Sequence, residues 1–218
     1  MDGGGYRVKG QRGPATFPTV RAEVLAGPRA RLDRSCVLRP LPSYLRPGLD
    51  LVLCGCNPGL FSAAVGHYFA RPGNAFWPLL AEAGITPRLF RPDEDAALLE
   101  LGVGLTDIVA RPSAGTGDVS AAEWRAGGAA VAGRLREFRP AAVCFVGDTA
   151  YRAFAGRPRD RWGRQAGDWE GTAVFVAPST SGRVVRLAAE RRAAFLEVGA
   201  WLRARRESAV MPLSGDSP

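Results

Sequence analysis

Three stretches of this chain are apolar without interruption: Leu51–Cys54 in "DLVLCG", Ala141–Val146 in "AAVCFVG", and "GTAVFVAPS", which ends in a polar loop. Short continuous apolar runs bounded by Gly and Pro read as strands buried on both faces. Between them the spacing becomes helical. Asn74–Ala83 predicts a helix with Asn74 as its N-cap and Gly84 as its stop. "PDEDAALLELG" predicts a short helix begun at Pro92 or Asp93, its acids at the positive end of the dipole. Ser120–Phe138 predicts a long helix, with Ser120 capping and Glu123 completing a capping box. Thr149–Ala155 and Val185–Arg205 predict two more. Strands alternating with helices imply an α/β fold, a three-layer sandwich whose central, mostly parallel sheet carries helices on both faces. Ligands of such sheets bind beyond the carboxyl ends of the strands. Two loops fall there, Gly55–Gly73 and Pro178–Arg183.

Outside this pattern, residues 1–30 are rich in Gly, Pro and Arg and predict a flexible basic extension; residues 31–206 form the folded domain, and 207–218 a loose tail. No internal repeat is evident. No apolar run reaches the roughly 20 residues of a membrane span, and "MDGGGYRVKGQRGP" lacks an apolar signal core. A soluble monomer of the bacterial cytosol is expected, without membrane contact.

Charge narrows the partner. The chain carries a formal +8 and a pI of about 10.1, and Lys9 is its single lysine. A basic domain points to a polyanion, nucleic acid first, although an inert basic surface fits the charge equally well. Four cysteines, Cys36, Cys54, Cys56 and Cys144, form no C-x-x-C pair, and His67 is the single histidine. Cys54 and Cys144 lie in the strand runs and read as core thiols. The spacing supports neither a zinc site nor an iron–sulfur cluster, so no metal or other cofactor is expected.

The first loop reads "GCNPG" and then "GHYFARPGNAFW"; the second reads "PSTSGR"; "GVGLTDIVARPS" lies between them. This text resembles the uracil-DNA glycosylase superfamily, in particular its mismatch-specific uracil- and thymine-DNA glycosylase branch. That branch carries G-I-N-P-G, then G-x-x-F-x-x-P-x-N-x-F-W, and a second motif that runs from N-P-S-G-L-S-R to P-S-S-S-A-R. The resemblance covers about residues 41–203 in the right order. It implies a DNA repair enzyme that flips uracil and related bases, favouring mispairs such as U:G, and hydrolyses the N-glycosidic bond to leave an abasic site. Its partner is duplex DNA with uracil or mispairs, and also single strands.

The residue types suit that chemistry. Breaking a C1′–N bond needs fixed donors for the departing base, a held water, a stacking wall and something to keep the duplex open. A Gly/Pro-rich turn supplies backbone donors. By resemblance, Cys56 and Phe69 lend backbone groups to the base edge and the Phe69 ring stacks on it. Ser62 and Ala63 border C5 of the base, where small side chains leave room for a methyl group. Asn57 orients the attacking water, but an amide cannot take its proton. Other branches place Asp or Glu there. Asp93, Glu94, Asp95, Asp107 and Asp118 are the nearest acids in sequence. Each reads by default as a solvated or helix-N-terminal acid, and Asp93 is the candidate helper. His67 is given no chemistry, and Phe76 and Trp77 read as packing.

In the second loop, Ser179 stands where some members have Asn. Ser179, Thr180 and Ser181 can bind phosphate oxygens. Gly182 allows close approach, and Arg183 falls at the position of the wedge that fills the hole left by the flipped nucleotide; a phosphate contact is its rival role. No lysine stands in either loop to form a Schiff base, which predicts a monofunctional hydrolase using water. Two other functions compete: a DNA-binding protein without catalysis, and a nucleotide-dependent α/β enzyme, for which the glycine spacing does not match G-x-G-x-x-G.

Overall fold

The structure, a computed structural model, describes residues 38–210. The basic extension expected over 1–30, and Cys36, lie outside the described residues. Five strands form one sheet in the order β2-β1-β3-β5-β4: β1 Leu51–Gly55, β2 Val103–Asp107, β3 Ala142–Val146, β4 Gly163–Trp169 and β5 Thr172–Ala177. β1 pairs in parallel with β2 and β3, and β3 with β5; β4 is antiparallel to β5. The helices are α1 Leu60–Val65, α2 Phe76–Glu82, α3 Ala121–Phe138, α4 Asp148–Ala155 and α5 Ala188–Val210.

Alternation along β1 sorts its side chains to two cores. Leu51 and Leu53 pack with Phe76, Leu80, Phe195 and Leu202 of α2 and α5. Val52 and Cys54 pack with Val131 and Leu135 of α3 and with Ala150 and Tyr151 of α4. The expected three-layer sandwich is therefore present, with helices on both faces. Each fully buried Leu or Phe of these layers contributes about 1.5–3 kcal/mol.

The predicted elements recur with instructive differences. The Ser120 cap is formed: its Oγ accepts from Glu123 N–H at 3.2 Å, and Glu123 Oε2 accepts from Ser120 N–H at 2.9 Å. Pro92–Leu101 is helical but winds as a 3₁₀ helix. α5 continues past Arg205 to Val210, because no Gly or Pro interrupts Glu207–Val210; those residues were expected in the loose tail, and the rest of that tail lies outside the described residues. β2 and β4 were not foreseen. β2, "VGLTD", is short and broken by Gly and Thr, while β4, "GRQAGDW", is a polar edge strand.

The order of strands places a switch point between β1 and β3, since the chain leaves β1 for β2 on one side and returns to β3 on the other. Gly55, Asp107, Val146 and Ala177 end the four parallel strands on one edge. That edge carries both loops.

Candidate active site

The first loop leaves β1 with the segment after β2 beside it. Ile108 N–H donates to Gly55 O at 3.0 Å, Val109 N–H to Cys56 O at 2.9 Å, and Ser113 N–H to Pro58 O at 3.1 Å. This pairing brings the buried Ser113 under Asn57. Ser113 Oγ donates to Gly115 O at 2.6 Å, so toward Asn57 it acts as an acceptor, receiving Nδ2–H at 2.8 Å. Asn57 Nδ2 also lies 3.2 Å from Pro58 O. With the NH₂ so occupied, Oδ1 is the acceptor the amide offers to a water.

Asp107 faces Gly55 across the β1–β2 ladder. It is 8% exposed, and any Cβ at residue 55 would collide with its Oδ1. Glycine is required there for the carboxyl to lie against the backbone that opens the loop. Burial pushes the Asp107 carboxyl up to about 7, and the Arg134 charge partly opposes this. Arg134 itself donates to Thr106 Oγ1 at 2.9 Å and to Asp107 O at 3.3 Å. The default expectation for this residue, a solvated or helix-opening acid, is thus corrected: it is a buried strand-end acid. Asp93, the acid singled out from the sequence, sits on the 3₁₀ helix with its side chain 52% exposed and bonded to Arg91 at 2.9–3.0 Å. The structure gives it no bond to the loop.

Phe69 adopts φ +51°, a left-handed conformation that costs a non-glycine residue about 1–3 kcal/mol. Its surroundings hold it there. Ala70 N–H donates to Ser62 Oγ at 3.1 Å, and Trp77 Nε1–H to Tyr68 O at 3.2 Å. The Phe69 ring stacks on Phe76 with centroids 3.8 Å apart and planes 17° apart. Its Cζ lies 3.4 Å from where a residue-55 Cβ would stand. Phe76 and Trp77 are packing residues, as expected: Phe76 stacks on Phe69, and Trp77 holds the carbonyl of Tyr68, the residue before it. Ser62 and Ala63 are buried in α1, with the Ser62 hydroxyl spent on the loop itself. Burial pushes the Cys56 thiol up to about 12, helped by Asp107, so it stays protonated.

The second loop follows β5 and touches the first. Ala75 N–H donates to Thr180 O at 3.0 Å, and a Cβ at Gly182 would lie 2.9 Å from Gly73 O. Thr180 is 1% exposed, buried between the loops rather than open to a phosphate. Ser179 and Ser181 are partly exposed, and Gly182 and Arg183 are exposed. Arg191 of α5 braces the loop by donating to Ser179 O at 3.0 Å and Val184 O at 2.9 Å.

Nothing in the sequence marked Arg191, and Ser113 stood only as the last residue of "GVGLTDIVARPS", with no role assigned. Asp107 did leave a signal: it ends "VGLTD", a run that starts after Gly102 and alternates small and apolar residues. Among the described residues no group of three or more His, Cys, Asp or Glu is placed to hold a metal ion, and no helix is long and apolar enough to cross a membrane. A cavity of about 560 Å³ opens at the opposite edge of the sheet, where Arg136 and Arg205 face Glu170 and Asp50. Those charges largely neutralise one another.

Comparison with known proteins bears on this edge. Residues 42–203 match the uracil DNA glycosylase superfamily. The solution NMR structure of a candidate uracil DNA glycosylase from Methanosarcina acetivorans is similar at TM-score 0.53 and 20% identity, covering 76% of this chain and 98% of that one. At that identity the likeness is one of fold. The family match spans both loops and the β2 segment that holds Asp107 and Ser113, so the chain belongs to the uracil DNA glycosylase superfamily.

Proposed function

We propose that the protein is a monofunctional glycosylase that excises uracil from duplex DNA, favouring mispairs, with Asn57 and Asp107 sharing the handling of one water. The observations that carry this are an amide turned by Ser113 two residues after Gly55, and a buried carboxyl lying against Gly55 itself. Superfamily membership supports DNA as the substrate.

In the proposed reaction the flipped base stacks on Phe69, whose other face is backed by Phe76. Asn57 Oδ1 accepts a hydrogen bond from the water and orients it. The water oxygen forms the new bond to C1′ as the C1′–N1 bond breaks, and N1 keeps the bonding electron pair. The water proton passes to the ionised Asp107 carboxylate, which Asn57 cannot replace as a base. The base leaves as an anion stabilised by backbone donors of the Gly/Pro turn and takes a proton afterwards. A mispaired base costs less to extrude, which is the physical source of the proposed preference.

The experiment is incubation of the full chain with labelled duplex holding a single uracil, in a U:G or U:A pair, followed by alkali. Strand cleavage after alkali is expected in both, faster from U:G. Binding of the duplex without cleavage would replace this function with non-catalytic DNA binding. Cleavage before alkali would contradict the monofunctional assignment.

A further inference from the structure

We propose that Asp95 is a positioning residue for Phe69, its carboxylate holding the turn at residues 67–69 so that the ring stays over the end of β1. The proposal rests on Phe69 being the stacking wall. Asp95 lies on the 3₁₀ helix, outside both loops, and is 1% exposed. Its Oδ2 accepts from Tyr68 N–H at 3.0 Å, and its Oδ1 lies 3.2 Å from Tyr44 Oη and 3.3 Å from His67 Nδ1. Two of these partners, His67 and Tyr68, immediately precede the left-handed Phe69.

A carboxylate suits this place because it accepts at every lone pair and donates nothing. The main-chain N–H of Tyr68 donates to it. The Tyr44 hydroxyl is kept protonated, pushed up by burial and by Asp95 itself, and so donates as well. His67, with Asp95 as its partner, donates through Nδ1. The opposite side of the turn is tied separately, by Ser62 Oγ to Ala70 N–H and by Trp77 Nε1–H to Tyr68 O. The strained residue is thus bracketed: Asp95 fixes the chain entering it and Ser62 the chain leaving it. A burial role alone would not need a charge, and an acid is seldom buried without partners that require it. An amide at 95 would keep the bond to Tyr68 N–H but turn a donor toward Tyr44 or His67.

The test is a double-mutant cycle on single-turnover uracil excision by the full chain. Asp95→Ala is expected to slow excision about tenfold in the wild-type background and less than about twofold when Phe69 is already Ala, because contacting or coupled sites are non-additive. Asp95→Asn should fall between wild type and Asp95→Ala. Affinity for an uncleaved uracil duplex should be unchanged. Thermal unfolding checks that each variant is folded at the assay temperature. If Asp95→Ala is not, Asp95→Asn and His67→Ala, whose side chain is 34% exposed, carry the same cycle. A slow Phe69→Ala with equal Asp95 effects in both backgrounds overturns the positioning role and leaves the stacking wall intact. A Phe69→Ala that cuts at the wild-type rate removes the stacking wall itself.

Discussion

The two loops at the carboxyl edge of the sheet are held at different groups. The first is tied by backbone bonds to the segment after β2 and also has its side chains fixed: Ser113 turns Asn57, Phe76 backs Phe69, and Ser62 and Asp95 take the amides of Ala70 and Tyr68. The second is held from outside at its backbone. Arg191 holds the carbonyls of Ser179 and Val184, Ala75 holds that of Thr180, and Gly182 abuts Gly73. Within it the Ser179 and Ser181 hydroxyls accept the N–H groups of Ser181 at 3.3 Å and Arg183 at 3.4 Å, and the Arg183 side chain is left exposed. The contrast fits the two tasks of the proposed function. Chemistry on one base needs reacting groups held to fractions of an ångström. Gripping a duplex needs a rigid loop with side chains free to follow the strand. Changes in the first loop should therefore cost rate, and changes in the second should cost affinity.

The largest effects are expected at the water. Asn57→Ala and Asp107→Asn should each slow single-turnover excision by about 10²-fold or more, the scale of a lost acid–base group, with DNA affinity nearly intact. The wild-type rate should rise with pH through about 7 and then level, because Asp107 works as a base only when ionised. Asp107→Asn should flatten that limb; an unchanged limb would assign it to another group. Stability moves the other way. The folded-state pKa of Asp107, about 7, lies above the ordinary carboxyl value of 3.8, so the folded state holds the proton more tightly. The resulting stability is fully present below pH 3.8 and is lost as pH rises through 7. Asp107→Asn should therefore gain on wild type in thermal unfolding as pH rises from 4 to 8. A constant difference across that range would remove the argument for a raised pKa.

A smaller effect, of the opposite kind, is expected from Arg191→Met. It leaves every first-loop residue in place but frees the carbonyls of Ser179 and Val184. Affinity for an uncleaved uracil duplex should fall about tenfold, the scale of losing charge-assisted bonds, while the rate at saturating enzyme changes little. Loss of the saturated rate with unchanged affinity would reverse the division between the loops.

This division also explains what the sequence could show. The buried strands β1, β3 and β5 are continuous apolar runs, and the Ser120 capping box is local, so both were legible. Asn57, Cys56 and Phe69 could be named as candidates because they sit in two motif pieces of one loop. Asp107 and Ser113 lie in the quoted "GVGLTDIVARPS", but their place beside Gly55 and Asn57 was not legible, because it follows from the β1–β2 pairing and β2 was unrecognised behind its Gly and Thr. Asp93 had been favoured by its nearness to the first motif and its place at a helix start. Those reasons apply equally to a surface pair with Arg91, which is what forms. Thr180 reads from sequence as a loop hydroxyl; its burial follows from the contact between loops, a long-range fact that no local pattern carries.

The smallest effect should come from Arg183, and it sharpens the comparison most. Arg183 is exposed on a loop whose backbone is pinned on both sides, and Gly182 beside it has no side chain to keep a strand away. A guanidinium so placed can either enter the duplex, stacking where the nucleotide was, or hold a phosphate. The two roles differ in what they depend on. A phosphate contact weakens binding about equally on every substrate, and its loss lowers the salt slope by about one. A wedge matters in proportion to the difficulty of extrusion. The expected outcome of Arg183→Ala is a graded loss of excision, several-fold on the scale of one base step's unstacking for U:A, less for U:G and least for single-stranded uracil DNA. Arg183→Leu should restore part of the duplex activity, since an apolar side chain also holds a base step open. Equal losses on all three substrates, a reduced salt slope and no rescue by leucine would make Arg183 a phosphate clamp. The second loop would then grip DNA from outside only, and the opening of the duplex would have to be assigned to the first.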